Sequence, residues 1–331
     1  MRILIVGAGA TGGAFGSRLQ EAGRDVTYLV RAGRAESLRR DGLRLVSPSE
    51  DRTLDVTTLV VGEEAPAFDL VLVTVKASAL KDAVADVRAW VDATTLVLPI
   101  LNGMAHIDLL ETEFPGRVLG GSAKIVATLD GGAVRQMTGL SVLTIGSLTD
   151  APVPAHVAEA LDVPGIDLRV SDDVLSALWE KWVFIAAAGV VTCLFRSAIG
   201  PALEAGALPW ILDAIEEAET VADAAGLPVS AAAHEQSLAI LTEEGSAFTT
   251  SLYRDLVAGL PTEAEHLLGD LARRARELSV PTPLLDLTLV QIRAGAPAQA
   301  PAIAAGMVQR ASGRGSPCRR REARSQGEER G

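Results

Sequence analysis

The chain has 331 residues, 48% apolar and 22% charged, a balance far from that of a disordered or disulfide-scaffold protein and long enough for two domains of ~100–200 residues. Its formal net charge of −12 disfavours general binding to nucleic acid or to an anionic membrane surface, although residues 297–331 carry seven arginines against three glutamates. Two cysteines, Cys193 and Cys318, offer no disulfide framework, and the four histidines share no metal-ligand spacing, so no metal is expected.

Taken in chain order, Arg2 to Val6 is a short apolar run that stops at Gly7, and Ala10 to Ala22 has helical spacing and stops at Gly23. Asp25 to Val30 reads as a second strand and Ala35 to Arg40 as a short helix. Asp69 to Val75 and Thr95 to Leu101 are apolar almost throughout, as strands of a parallel sheet covered on both faces must be, and Ala77 to Trp90 between them reads as helix. This alternation predicts a doubly wound α/β domain. Strand signals at Val118 to Ala127, Ala133 to Gln136 and Ser141 to Ile145 read as an antiparallel extension of that sheet, and Val163 to Val170 as a connector.

From about residue 150 the texture becomes helical, with amphipathic segments near 154–161, 173–197, 208–225, 229–242, 249–258, 263–278 and 283–294. The expected organisation is a Rossmann-type domain over 1–170, an all-α domain over 171–295 that carries substrate and catalytic groups, and a disordered Arg-rich tail over 296–331. The run Trp182 to Phe195 is shorter than the ~20 residues of a membrane helix, and the glycines near the N-terminus are unlike a secretory signal. No membrane partner and a cytoplasmic location are therefore expected.

Gly7-Ala8-Gly9-Ala10-Thr11-Gly12 places a G-x-G-x-x-G set between the first strand and the first helix. Such glycines permit a tight turn and close approach of a pyrophosphate to free N–H groups at the helix N-terminus, so Gly7, Gly9, Ala10, Thr11 and Gly12 are candidate cofactor-binding residues. Arg31 follows the second strand, where an NAD-selective site usually has an acid to hold the ribose hydroxyls. With Arg34 one turn on, it suits a 2′-phosphate instead, which favours NADPH; solvated surface charge is the alternative.

Lysine is scarce: Lys76, Lys81, Lys124 and Lys181 are the only four. Lys76 and Asn102 each follow a buried parallel strand, at the edge where ligands of open α/β sheets gather, and are candidates for both cofactor and substrate contact. A snorkelling lysine and a plain Asn-Gly turn are the alternatives. Lys181 sits in the most apolar helix, where burial lowers a lysine pKa toward the range useful for proton donation; an ordinary surface pair with Glu180 is the alternative. Ser251 and Glu263 are equally compatible with a site and with helix starts, and the histidines read as structural.

Together GAGATGG, Arg31, Val75-Lys76-Ala77, Asn102-Gly103-Met104, Trp179-Glu180-Lys181, Ser251, Asp255 and Thr262-Glu263 resemble the ketopantoate reductase (2-dehydropantoate 2-reductase) family over about residues 1–294. The resemblance implies NADPH-dependent reduction of 2-dehydropantoate to pantoate, for pantothenate and coenzyme A synthesis, in a cleft between a Rossmann domain and a helical domain. It implies Lys181 as the catalytic lysine with Glu263, and Asn102, Ser251 and Lys76 as substrate-side residues. Ile185 and Gly189 depart from the pair of asparagines that members commonly carry after the lysine, and Gln136 stands where many have histidine. The open alternatives are reduction of another 2-oxo acid, ketone or imine, and a non-catalytic NADP(H) sensor. A small oxo acid is the expected partner, and the chain is expected to be a monomer or homodimer.

Overall fold

The structure, a computed structural model, describes residues 1–295. The predicted Arg-rich tail over 296–331 lies outside the described residues.

The first half opens with β1 (Arg2–Val6), α1 (Ala10–Glu21), β2 (Asp25–Leu29) and α2 (Ala32–Asp41). A hairpin of β3 (Leu43–Ser47) and β4 (Glu50–Leu54) follows, then β5 (Thr57–Leu59), β6 (Leu70–Val73), α3 (Leu80–Val87) between two short 3₁₀ turns, and β7 (Leu96–Pro99). β5, β2, β1, β6 and β7 form an all-parallel sheet in that spatial order. Renumbered within the sheet the order is 3-2-1-4-5, that of a dinucleotide-binding doubly wound fold, with the connections reversing direction between β1 and β6. Its central strands are apolar on both faces because both are covered. Ile3, Ile5, Leu70 and Leu72 pack on one side with Phe15 of α1, while Leu4, Val6, Val71 and Val73 pack on the other with Leu80 and Val84 of α3.

After α4 (Ala105–Glu113) the chain makes a long hairpin of β8 (Leu119–Asp130) and β9 (Ala133–Ser147), then α5 (Ala155–Leu161) and β10 (Asp167–Ser171). The hairpin does not extend the parallel sheet as the sequence predicts. β9 pairs in parallel with β3 at its start and with β10 at its end, and with β8 along its length, building a second five-stranded sheet. Among the described residues a single bridge, Val97 to Val118, joins the two sheets. The reason is packing: Val134 of β9 sits so close to α1 that a methyl group added at Gly13 would overlap it, and Gly120 of β8 meets Val174 in the same way. The expected connector at 163–170 likewise ends as β10.

The second half is helical: α6 (Val174–Leu194), α7 (Ile199–Glu204), α8 (Leu208–Ala224), α9 (Ala231–Leu241), α10 (Ser251–Val257), α11 (Asp270–Glu277) and α12 (Pro283–Gly295). α6 is long and apolar enough to cross a membrane on length and composition alone, but it is the centre of the helical core, with Trp182, Ala186, Val190 and Cys193 buried and the helix packed against α8, α9 and α10. Asp173 caps it by accepting the Ser176 N–H at 3.1 Å. The helix expected from 263 begins instead with a π-helical turn, Glu265–Gly269, ahead of α11. Trp182 Nε1 donates to the Leu267 carbonyl inside this turn at 3.0 Å, which ties it to α6.

Candidate active site

At the carboxyl edge of the parallel sheet, β1 turns into α1 through Gly7, whose φ of +99° suits only glycine. The Thr74 hydroxyl, just past β6, bonds to the Val6 and Gly7 carbonyls at 2.9 Å each, fixing the turn at the point where the sheet order reverses. A side chain at Gly12 would collide with the Gly7 carbonyl and the Thr74 hydroxyl, so the helix can approach the strand only with glycine there. A Cβ at Gly9 would meet open space. α1 has no acid in its first turn to neutralise its free N–H groups, and Ala10 and Thr11, its first two residues, are half-buried. Glycine contours, open space and an uncompensated helix N-terminus together fit a dinucleotide pyrophosphate.

Arg31 is exposed at the N-cap of α2, and among the described residues its guanidinium has no ion-pair partner. Arg34 differs: it donates to the Ala8 carbonyl at 3.3 Å and the Gly132 carbonyl at 3.0 Å, and burial lowers its pKa. Of the two arginines, Arg31 is the one whose charge is uncommitted.

Two adjacent residues beyond β6 reach into the helical half. Lys76 Nζ lies 3.1 Å from Asp255 Oδ2, and the Ala77 N–H donates to Glu263 Oε1 at 2.9 Å. Glu263 therefore stands just outside the π-turn with one oxygen engaged on the Rossmann side, rather than as an ordinary first-turn charge. Ser251 opens α10 one turn before Asp255, so both project from one face of that helix. Thr250 caps the helix and shares a 2.9 Å hydrogen bond with Thr192 of α6, which anchors this end to the core.

Asn102 follows β7 at a turn completed by Gly103 at φ +82°. Its backbone carbonyl accepts from His266 Nε2 at 2.8 Å, while among the described residues its carboxamide has no hydrogen-bond partner. Lys181, half-buried on α6, donates to the Ala123 carbonyl of β8 at 2.7 Å, and among the described residues no carboxylate lies within ion-pair distance of it. Glu180, its neighbour in sequence, accepts the Ser230 N–H instead, so the two do not form a surface pair. Burial, aided by repulsion from Lys124, brings the Lys181 ammonium down to a pKa of about 8. Ile185 and Gly189 lie one and two turns further along that face; Gly189 packs against Leu252 and Leu268.

Direct contacts thus join Lys76 to Asp255, the loop after Lys76 to Glu263, and Asn102 to the π-turn three residues beyond Glu263. Arg31 and the glycine loop form the other end, along the same sheet edge. The sequence reading leaves the histidines structural and does not bring His106 and His266 together, as the structure does. His106 on α4 is fully buried with neither ring nitrogen partnered, 5.9 Å from the His266 ring. Burial, with the nearby His266 and Lys181, lowers its pKa to about 3. The available signal was position: two of only four histidines stand four residues after Asn102 and three after Glu263.

Residues 3–150 match the family model for ketopantoate reductase PanE/ApbA, and residues 173–296 match that for its C-terminal part. The chain is similar to the uncharacterized oxidoreductase YkpB of Bacillus subtilis, 32% identical over 299 residues that cover 88% of this chain and 98% of the relative. Among solved structures it is similar to a PanE/ApbA family ketopantoate reductase from Ralstonia eutropha, with a TM-score of 0.81 and 26% identity over 89% of this chain and 98% of that one. It shares its fold, at a TM-score of 0.80 and 21% identity over 89% of this chain and 98% of the other, with D-mandelate dehydrogenase bound to NADH and anilino(oxo)acetate. The chain belongs to the ketopantoate reductase PanE/ApbA family of oxidoreductases.

Proposed function

We propose that the protein reduces the ketone of a small 2-oxo acid to the 2-hydroxy acid with NADPH, and that 2-dehydropantoate, giving pantoate for pantothenate and coenzyme A synthesis, is its substrate. The observation that carries this reading is Lys181: an ammonium held by one carbonyl, unpaired with any carboxylate among the described residues, and brought by burial to a pKa of about 8. A lysine with only a structural role gains from a carboxylate partner; one that must give up a proton does not.

Gly7, Gly9, Ala10, Thr11 and Gly12 would hold the pyrophosphate, and Arg31 the 2′-phosphate, with Lys76 and Asn102 beside them at the sheet edge. The bound cofactor supplies a hydride to the carbonyl carbon. Lys181 gives its proton to the carbonyl oxygen as that oxygen gains charge, so hydride and proton together make the alcohol. The free carboxamide of Asn102 orients the same carbonyl, and Ser251 donates to the substrate carboxylate. Glu263 keeps an oxygen for the substrate hydroxyl or for Lys181 while its other oxygen holds Ala77.

A second reading, reduction of a bulkier oxo acid or an imine, is favoured by one observation: Ile185 and Gly189 make the face beyond Lys181 apolar. One experiment separates these readings from a non-catalytic NADP(H) sensor. NADPH and NADH oxidation is followed across a panel of 2-oxo acids that includes 2-dehydropantoate, with wild type, Lys181→Ala and Lys181→Met. General acid catalysis contributes about 10²–10⁴-fold, and both variants should lose that much turnover while binding NADPH normally. A wild type that oxidises neither cofactor with any oxo acid, nor with a cyclic imine added to the panel, would leave the sensor, and near wild-type rates in both variants would make Lys181 structural.

A further inference from the structure

Two features beside the candidate site are not absorbed by the reductase reading: a π-helical turn at Glu265–Gly269, and a pair of histidines packed between that turn and the loop after β7. A single π-turn inserts an extra residue into a helix and rotates the following side chains, and such turns recur at functional sites. Here the turn presents His266 to the Rossmann half.

The fit is close on every side. His266 Nε2 is 2.8 Å from the Asn102 carbonyl oxygen, and only a protonated ring nitrogen can bond to a carbonyl, so Nε2 is the donor. A methyl group added at Gly103 would lie 3.4 Å from His266 Nε2 and 3.2 Å from Leu267 Cδ2, so the His266 ring and Leu267 seat directly on the Asn102–Gly103 turn. His106, behind it on α4, makes no hydrogen bond and leaves the Asn102 carbonyl to His266. Trp182 holds the Leu267 carbonyl from α6, the helix that carries Lys181. The carboxamide of Asn102 has no hydrogen-bond partner among the described residues, so its direction is set through its backbone.

We propose that His266 is a positioning residue: by donating from Nε2 to the Asn102 backbone carbonyl it sets the Asn102–Gly103 turn against the helical half, and so aims the Asn102 carboxamide at the substrate carbonyl that Lys181 protonates. The assignment rests on the reductase reading above. His266 touches no reacting atom and acts only through Asn102.

The test is a double-mutant cycle on the full chain with the best substrate of the panel. His266→Leu removes the donor while keeping an apolar side chain, and kcat should fall about five- to tenfold, the effect of one hydrogen bond, with the Kd for NADPH unchanged. His266→Gln places an amide N–H near the Nε2 position and should restore kcat to within about threefold of wild type. In an Asn102→Ala background, His266→Leu should cost less than twofold, because the carboxamide it aims is gone. Equal losses in both backgrounds would show that His266 stabilises the fold and not Asn102, as would a Gln variant no better than Leu. Wild-type kcat in His266→Leu would also overturn the assignment. A wild type inactive on every oxo acid would instead overturn the reductase reading, and this assignment with it; the cycle is interpreted only on an active wild type, so the two failures are distinct.

Discussion

Burial lowers the pKa of Lys181 and of His106, with opposite kinds of consequence. In the proposed reaction Lys181 would donate its proton, so activity would depend on the fraction still protonated. With its pKa brought to about 8, kcat/KM should be level below pH 7 and fall about tenfold per pH unit above 8. A rate that stays level to pH 9.5 would remove Lys181 as the titrating donor. His106 acts on stability instead. Its folded pKa of about 3 lies below the ordinary value of 6.5, so between those values the unfolded chain binds a proton that the folded chain refuses. Stability from this residue is complete above pH 6.5 and is lost as pH falls, by about 2 kcal/mol at pH 5. His106→Phe keeps the ring and removes the titration. Urea unfolding at pH 7.5 and pH 5 should show the wild type losing about that much more than the variant, and equal losses would refute the burial argument. Lys181 was legible in the sequence because lysine is rare here and stands in an apolar helix. His106 was not, since nothing in the residue types near it distinguishes an unpartnered imidazole from a bonded one.

Among the elements, the strands of the parallel sheet were the most legible. Burial on both faces demands uninterrupted apolar runs such as Leu70-Val71-Leu72-Val73, and no other local structure fits runs so short between turn signals. The β3–β4 hairpin was invisible for the converse reason: Glu50-Asp51-Arg52-Thr53-Leu54 lies on an exposed edge and has no apolar alternation to read. The hairpin of β8 and β9 was visible as strands but placed in the wrong sheet, because sheet membership is decided by contacts with α1 and α6 that local pattern does not encode. α6 shows how an element can be set by its ends. Its first-turn N–H groups rely on Asp173, whose carboxylate is held below the usual range by its hydrogen bonds to Ser176. Asp173→Ala should lower stability by about 1 kcal/mol without changing the Kd for NADPH, measured by denaturant midpoint and fluorescence titration. No change in the midpoint would mean that packing of Trp179 and Trp182 alone holds the helix start.

For the molecule as a whole, the sequence order of sheet-forming and helical halves was readable, while their juncture was not. Lys76, Asn102 and Glu263 each had a bland local reading, and their convergence on one seam is visible only in contacts between residues far apart in sequence. Glu263 is the clearest case, since its carboxylate accepts the Ala77 N–H from the other half. Glu263→Ala should destabilise the protein by about 1.5–3 kcal/mol, the scale of a hydrogen bond to a charged group, whereas Glu263→Gln keeps an acceptor oxygen and should cost less. Thermal unfolding of the two variants measures the difference; equal loss would mean that the charge, and not the bond to Ala77, matters.

The bonds across this seam also order events during synthesis. β1 meets β2 and β6 over separations of 23 and 67 residues, from the pairings Arg2 with Asp25 and Ile3 with Leu70. Asn102 meets His266 across 164 residues, Lys76 meets Asp255 across 179, and Ala77 meets Glu263 across 186. A chain emerging from its N-terminus can pair the strands of the parallel sheet, and shape the glycine loop on them, well before Asp255, Glu263 and His266 exist. On the proposed reading, the half that would grip the nucleotide thus matures ahead of the half that would complete the substrate site. If so, a nascent or truncated chain would be able to take up cofactor while lacking the groups that would put it to use.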